Sequence, residues 1–85
     1  MQIEYSPNFK KQYKSLPIKV KLSAETRERL FIGNPFSAQL KTHKLKGTLK
    51  GLWAFSIDYR YRIIFEFLGN DVVRFHSIGD HKIYQ

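Results

Sequence analysis

Cysteine is absent from the 85 residues, and so is any long apolar run. The first absence excludes disulfides and thiolate metal sites, and it permits a reducing compartment. The second excludes a membrane-crossing helix, which needs about 20 consecutive apolar residues. The opening segment, MQIEYSPNFK, lacks the apolar stretch of a secretory signal, so a cytoplasmic address is expected. No repeat, low-complexity tract or linker interrupts the chain. No His-x-x-x-His pair, clustered acidic pair, glycine-rich phosphate loop or Ser-His-Asp signature occurs either. Neither a metal nor a cofactor is therefore expected.

Acidic residues are also scarce: 7, against 15 lysines and arginines, for a net charge of +8. The excess is uneven. Residues 1–50 carry 11 basic and 3 acidic side chains, whereas residues 51–85 carry 4 of each. Such asymmetry suits a polyanion, an acidic protein partner, or a merely well-solvated surface. What the chain does have is apolar material. With 42% hydrophobic and 15% aromatic residues, it has enough to fold as one domain over 1–85 without staples.

The periodicity predicts helices first and strands afterwards. Gln2 to Tyr5 alternates as a short strand. Ser6-Pro7 then opens a helix, with Ser6 as cap and Pro7 at the first helical position. Phe9, Tyr13 and Leu16 form its apolar stripe. Pro17 separates it from a second helix over 18–32, which carries Ile18, Val20, Leu22, Ala24, Leu30, Phe31 and Ile32 and is stopped by Gly33-Asn34-Pro35. Trp53, Phe55 and Ile57 alternate with Ala54 and Ser56, as in a half-buried strand. Tyr61, Ile63, Phe65 and Phe67 mark the next strand, with Arg60 and Arg62 on one face of it. Gly69-Asn70-Asp71 is a hairpin turn, and Val72 to Ile78 a last strand. The expected fold is α+β, in the order β-α-α-β-β-β. An N-terminal helical hairpin packs on one face of a small, twisted, mainly antiparallel sheet.

Four segments, in this order, resemble one family. Ile3-Glu4-Tyr5-Ser6-Pro7-Asn8-Phe9-Lys10-Lys11 resembles the first strand and helix start of the RelE/ParE toxins. His43-Lys44-Leu45-Lys46-Gly47 resembles their turn before the second strand. Trp53 to Phe65, with its Tyr61-Arg62-Ile63-Ile64-Phe65 core, is similar to their central hairpin. Ile78-Gly79-Asp80-His81-Lys82-Ile83-Tyr84 resembles the ending of the YafQ-like branch. The likeness spans essentially the whole chain. It implies a toxin bound by a cognate antitoxin and acting on mRNA in the ribosomal decoding site. ParE-like members instead inhibit DNA gyrase, and a decayed toxin would only bind its antitoxin.

Metal-free RNA cleavage needs a base for the 2′-OH, an acid for the leaving 5′-oxygen, and cations for the charge building on phosphate. Histidine suits both proton roles, since its unperturbed pKa is about 6.5. The resemblance implies His81 and His43 as the proton-transfer pair; otherwise each is an ordinary exposed histidine. His76 matches no motif and reads as a strand residue. The resemblance also makes Arg62 a transition-state stabiliser, because guanidinium grips two phosphate oxygens at once. The competing reading pairs it with Glu66 or Asp58. Arg60 stands where YafQ-like sequences have an aspartate, and Ser56 where they have a further histidine; RelE-like enzymes instead place lysines on that strand, where this chain has Trp53, Ala54 and Phe55, so neither catalytic set is complete. Tyr84 is implied to stack on substrate or assist proton transfer, against plain packing on the sheet. Tyr59, Tyr61 and Trp53 read as core or rim residues. Lys41, Lys44, Lys46 and Lys50, without an acidic neighbour, are expected to contact RNA phosphates beside the site.

Overall fold

A computed structural model describes residues Met1–Tyr84. Strand β1 (Gln2–Tyr5) leads into helix α1 (Pro7–Lys14) and helix α2 (Ile18–Gly33). Four strands follow: β2 (His43–Lys44), β3 (Trp53–Ser56), β4 (Arg62–Gly69) and β5 (Val72–Gly79). Single 3-10 turns cover Ala38–Leu40, Gly47–Leu49 and His81–Tyr84. The sheet order is β1-β5-β4-β3-β2. Among the described residues, no helix is long and apolar enough to cross a membrane.

The α+β expectation and the helical hairpin hold, with three differences. First, the sheet is mixed. β1 runs parallel to β5, with Tyr5 opposite Phe75, and the other pairings are antiparallel. Second, a fifth strand exists. The His43 segment, read as a turn, forms a two-residue edge strand against Ala54 and Trp53. Two residues are too short for periodicity to register. Third, β3 is covered on both faces, because Ala54 and Ser56 are buried along with Phe55. The C-terminal turn helps to cover the far face. A Cβ built on Gly79 would stand 2.5 Å from Ile83 Cγ2, so the tail lies directly on the strand backbone.

The core sits between helices and sheet and is largely aromatic. Phe31 of α2 stacks on Phe55 at 4.7 Å between ring centroids and meets Phe65 edge-on at 4.9 Å. All three rings are fully buried, each contributing about 1.5–3 kcal/mol by burial alone. Helix α1 begins as its sequence dictates: Ser6 Oγ accepts from the Phe9 N–H at 2.9 Å, and Pro7 needs no donor there. The same Ser6 hydroxyl donates to the His76 carbonyl at 2.8 Å, and Gln12 Oε1 accepts from the Ile78 N–H at 2.8 Å. These bonds satisfy β5 backbone groups beyond the end of β1 and around a bulge. Ile64 pairs with Ser77 but Phe65 with Phe75, leaving His76 as the extra residue.

Strand register divides the side chains between the two sheet faces. Trp53, Phe65 and Phe55 point toward the helices, and Lys44, opposite Trp53, shares their face. His43, Ala54, Ser56, Arg62 and Gly79 occupy the other face.

Candidate active site

Between β3 and β4 the chain turns sharply at Asp58. Its Oδ1 accepts from the Arg60 N–H at 2.8 Å and from the Tyr61 N–H at 2.7 Å, so the carboxylate holds the turn. The strand therefore starts at Arg62, and Arg60 belongs to the turn rather than to a shared strand face. Arg62 fixes the turn from the other end. Its Nη1 donates to the carbonyls of Asp58 at 2.8 Å, Tyr61 at 3.0 Å and Tyr59 at 3.4 Å. The structural partner of Arg62 is thus the turn backbone, not the carboxylates of Glu66 or Asp58. Glu66 lies 3.1 Å from His76 Nε2, which makes His76 a strand residue with its own partner.

The second wall comes from the C-terminal turn. Asp80 Oδ1 accepts from the Lys82 N–H at 3.0 Å and starts the turn that carries His81 outward into solvent. The other Asp80 oxygen lies 4.0 Å from Arg60 Nη2. A carboxylate thus stands beside Arg60 although the aspartate of YafQ-like sequences is missing. It comes from the next strand end.

Between these walls lies a groove of about 510 Å³ lined by Tyr59, Arg60, Arg62, His81 and Tyr84. Four of the five residues expected to carry chemistry meet there: His81, Arg62, Arg60 and Tyr84. Burial raises the Tyr84 phenol above its ordinary value, and the Arg62 charge pulls it partly back. A tyrosine phenol is protonated at neutral pH even at its ordinary value near 10, so Tyr84 is able to donate. Two guanidinium groups, an imidazole and a neutral phenol around one opening can bind a phosphodiester, move protons and disperse negative charge.

The fifth residue, His43, does not line this groove. It lies on the same sheet face as Arg62, two strands over and one pleat along, about 12 Å away between Cα atoms from ordinary strand spacings. Its Nδ1 is 2.9 Å from the Lys41 carbonyl, which only accepts, so Nδ1 donates and the neutral ring carries its lone pair on Nε2.

The lysines separate from the groove as well. Lys44, Lys46 and Lys50 line a different groove of about 660 Å³ with Leu52, Trp53 and Phe67, and the two grooves share no residue. Lys44 Nζ lies 5.4 Å from the centre of the Trp53 ring, on the helix side of the sheet. Lys41 lines neither groove; a left-handed backbone at φ 52° turns the chain there, and its carbonyl orients His43. The cluster seemed contiguous with the site in sequence order, but alternation across β2 sends Lys44 and His43 to opposite faces. Of the two places expected for Tyr59, core or rim, the structure gives the rim: it is 96% exposed on the groove edge. The available signal was its place beside Asp58 in a turn, where no strand face can bury it.

No protein-family model and no curated protein matches the chain. Solved structures do. YafQ from E. coli superposes with a TM-score of 0.80 at 26% identity, covering 98% of this chain and 96% of that one. The YafQ of an E. coli DinJ–YafQ toxin–antitoxin complex matches at 27% identity and a TM-score of 0.76, covering 96% and 93%. A YoeB/ParE toxin from Agrobacterium tumefaciens shares the fold at a TM-score of 0.80 and 18% identity, covering 95% and 99%. Fold and likenesses together identify the chain as a RelE/ParE-like toxin. Within that class it is YafQ-like, in agreement with the C-terminal segment, Ile78 to Tyr84, which resembles the ending of the YafQ-like branch.

Proposed function

We propose that residues 1–85 form one toxin domain of a type II toxin–antitoxin system that acts in the cytoplasm as an mRNA endoribonuclease. The observation that carries this reading is the single groove holding His81, Arg62, Arg60 and Tyr84. In the proposed reaction a base removes the 2′-OH proton, the 2′-oxygen attacks phosphorus, and the bond to the 5′-oxygen breaks as that oxygen takes a proton. His81 is the principal proton-transfer group. Tyr84, a neutral phenol at physiological pH, is the second donor facing the groove. His43 serves as the second imidazole from across the sheet face, through its Nε2. Arg62 and Arg60 neutralise the pentavalent phosphate, Arg62 through the N–H groups that do not hold the turn. The work needs no metal, because the side chains supply both protons and charge.

Two partners follow from this reading. One is a cognate antitoxin, supported by likeness to the YafQ of a DinJ–YafQ toxin–antitoxin complex. The other is mRNA in the ribosomal decoding site, with Lys44, Lys46 and Lys50 attracting RNA backbone at a distance from the cut.

Inducing the chain in cells and mapping mRNA 5′ ends by primer extension tests the proposal. New cuts and growth arrest are expected. His81→Ala should lower both by roughly 10²–10⁴-fold, and His43→Ala by less. Intact mRNA together with DNA damage would select gyrase inhibition instead, and an inert chain would select a binding-only toxin.

A further inference from the structure

Tyr59 has no packing role. The residue is 96% exposed, the most exposed of the large apolar residues, and among the described residues no aromatic ring packs on it. The backbone beneath it is nevertheless tied from both sides. Asp58 Oδ1 binds the two N–H groups that follow Tyr59, and Arg62 Nη1 reaches the carbonyls of Asp58 and of Tyr59 itself. A fully wet aromatic on a pinned turn costs the fold apolar exposure with nothing returned in packing. It does, however, offer a flat face whose backbone is ordered before any ligand arrives. That face borders the groove containing Arg60, Arg62, His81 and Tyr84.

We infer that Tyr59 is a stacking platform for an unpaired nucleobase, positioned so that the base's own phosphate reaches the arginines of the groove. Single-stranded nucleic acid suits both parts of the site: aromatic faces stack on any exposed base, and guanidinium groups grip the adjoining phosphate. The inference rests on the nuclease reading for its substrate class, but it concerns binding and not bond cleavage. Arg62 acquires a double role, since the guanidinium that faces the phosphate also fixes the height of the platform. Tyr59 is thus a positioning residue that selects an unstacked base over a paired one.

The test uses the full chain and a short single-stranded 2′-O-methyl RNA with 2-aminopurine at successive positions. The methyl group blocks 2′-oxygen attack, so the readout does not depend on cleavage. Saturable quenching of the 2-aminopurine at one position is expected, from stacking. Tyr59→Ala should abolish that quenching and weaken binding about 5- to 150-fold, while Tyr59→Phe and Tyr59→Trp restore both. A duplex carrying the same base should bind without quenching. Quenching unchanged in Tyr59→Ala, or no saturable quenching at any position at low salt, overturns the inference. If quenching follows Tyr59 but the unmodified RNA is never cut, with or without ribosomes, the platform stands and the nuclease reading falls.

Discussion

Phe31 and Tyr59 are both aromatic, and the fold treats them in opposite ways. Phe31 is fully buried against Phe55, Phe65 and Phe75, within the apolar core cluster. Tyr59 stands in water on a turn tied by an aspartate and an arginine, among cations and an imidazole. The helix side of the sheet is built for cohesion, and the turn-and-tail end for contact. Strands β4 and β5 connect them, so the same backbone that stacks phenylalanines also sets the positions of Arg62 and the His81 turn. Substitutions should therefore separate into those that lower stability and those that lower activity.

The largest effect is expected on the cohesive side. Phe31→Ala should cost about 3–5 kcal/mol in urea unfolding, because the cavity left among three other rings cannot close. Any fraction that remains folded should still cut RNA, and a folded but inactive Phe31→Ala protein would break the division. Next comes Arg62→Met. It leaves three turn carbonyls without their donor and should cost about 1–3 kcal/mol. Arg62 alone among the groove residues should move stability and cleavage together. Since its charge holds the Tyr84 phenol down, the substitution should also raise the Tyr84 titration midpoint, followed by NMR of labelled tyrosine.

Gly79→Ala probes the link between the two regions. The new methyl would meet Ile83, whose branched side chain yields poorly, so the tail turn and His81 must shift. A cost of about 1–3 kcal/mol is expected, together with a fall in cleavage although no groove residue has changed. The smallest effect belongs to Tyr5, whose hydroxyl donates to Glu28. Tyr5→Phe should cost about 0.5–1.5 kcal/mol in thermal unfolding, with cleavage untouched. Burial, first, and then Glu28 push the Tyr5 phenol well above its ordinary value near 10. The folded state therefore holds that proton more tightly than the unfolded chain. The resulting stability is complete below about pH 10 and declines as pH rises toward the folded value. The phenylalanine variant should lose this alkaline decline.

How much of this was legible beforehand follows from the range of each interaction. Helix boundaries and strands β1, β3, β4 and β5 are written in local periodicity and in Ser6-Pro7, Gly33-Asn34-Pro35 and Gly69-Asn70-Asp71, so they are legible. The parallel β1–β5 pairing joins residues about seventy positions apart and leaves no local trace. The groove was half legible. Motif order points to His81, Arg62, Arg60 and Tyr84, and these four meet. The lysines adjoin them only in sequence order, and alternation along a two-residue strand sends Lys44 to the helix side; His43, joined to them by the resemblance, shares the face of Arg62 but stands two strands away. Arg62's hold on the Asp58 turn was invisible because its acceptors are backbone carbonyls, which every residue carries.

The central claim is that the groove beside His81 breaks RNA by proton transfer and charge neutralisation from side chains alone. The direct measurement is the chemistry of the cut ends when purified protein acts on mRNA being translated by ribosomes. Cuts ending in 2′,3′-cyclic phosphate and 5′-hydroxyl, lost in His81→Ala but retained in Phe36→Ala on the other side of the sheet, are the predicted result. Ends bearing 5′-phosphate, or His81→Ala cutting as fast as the unaltered chain, would contradict it.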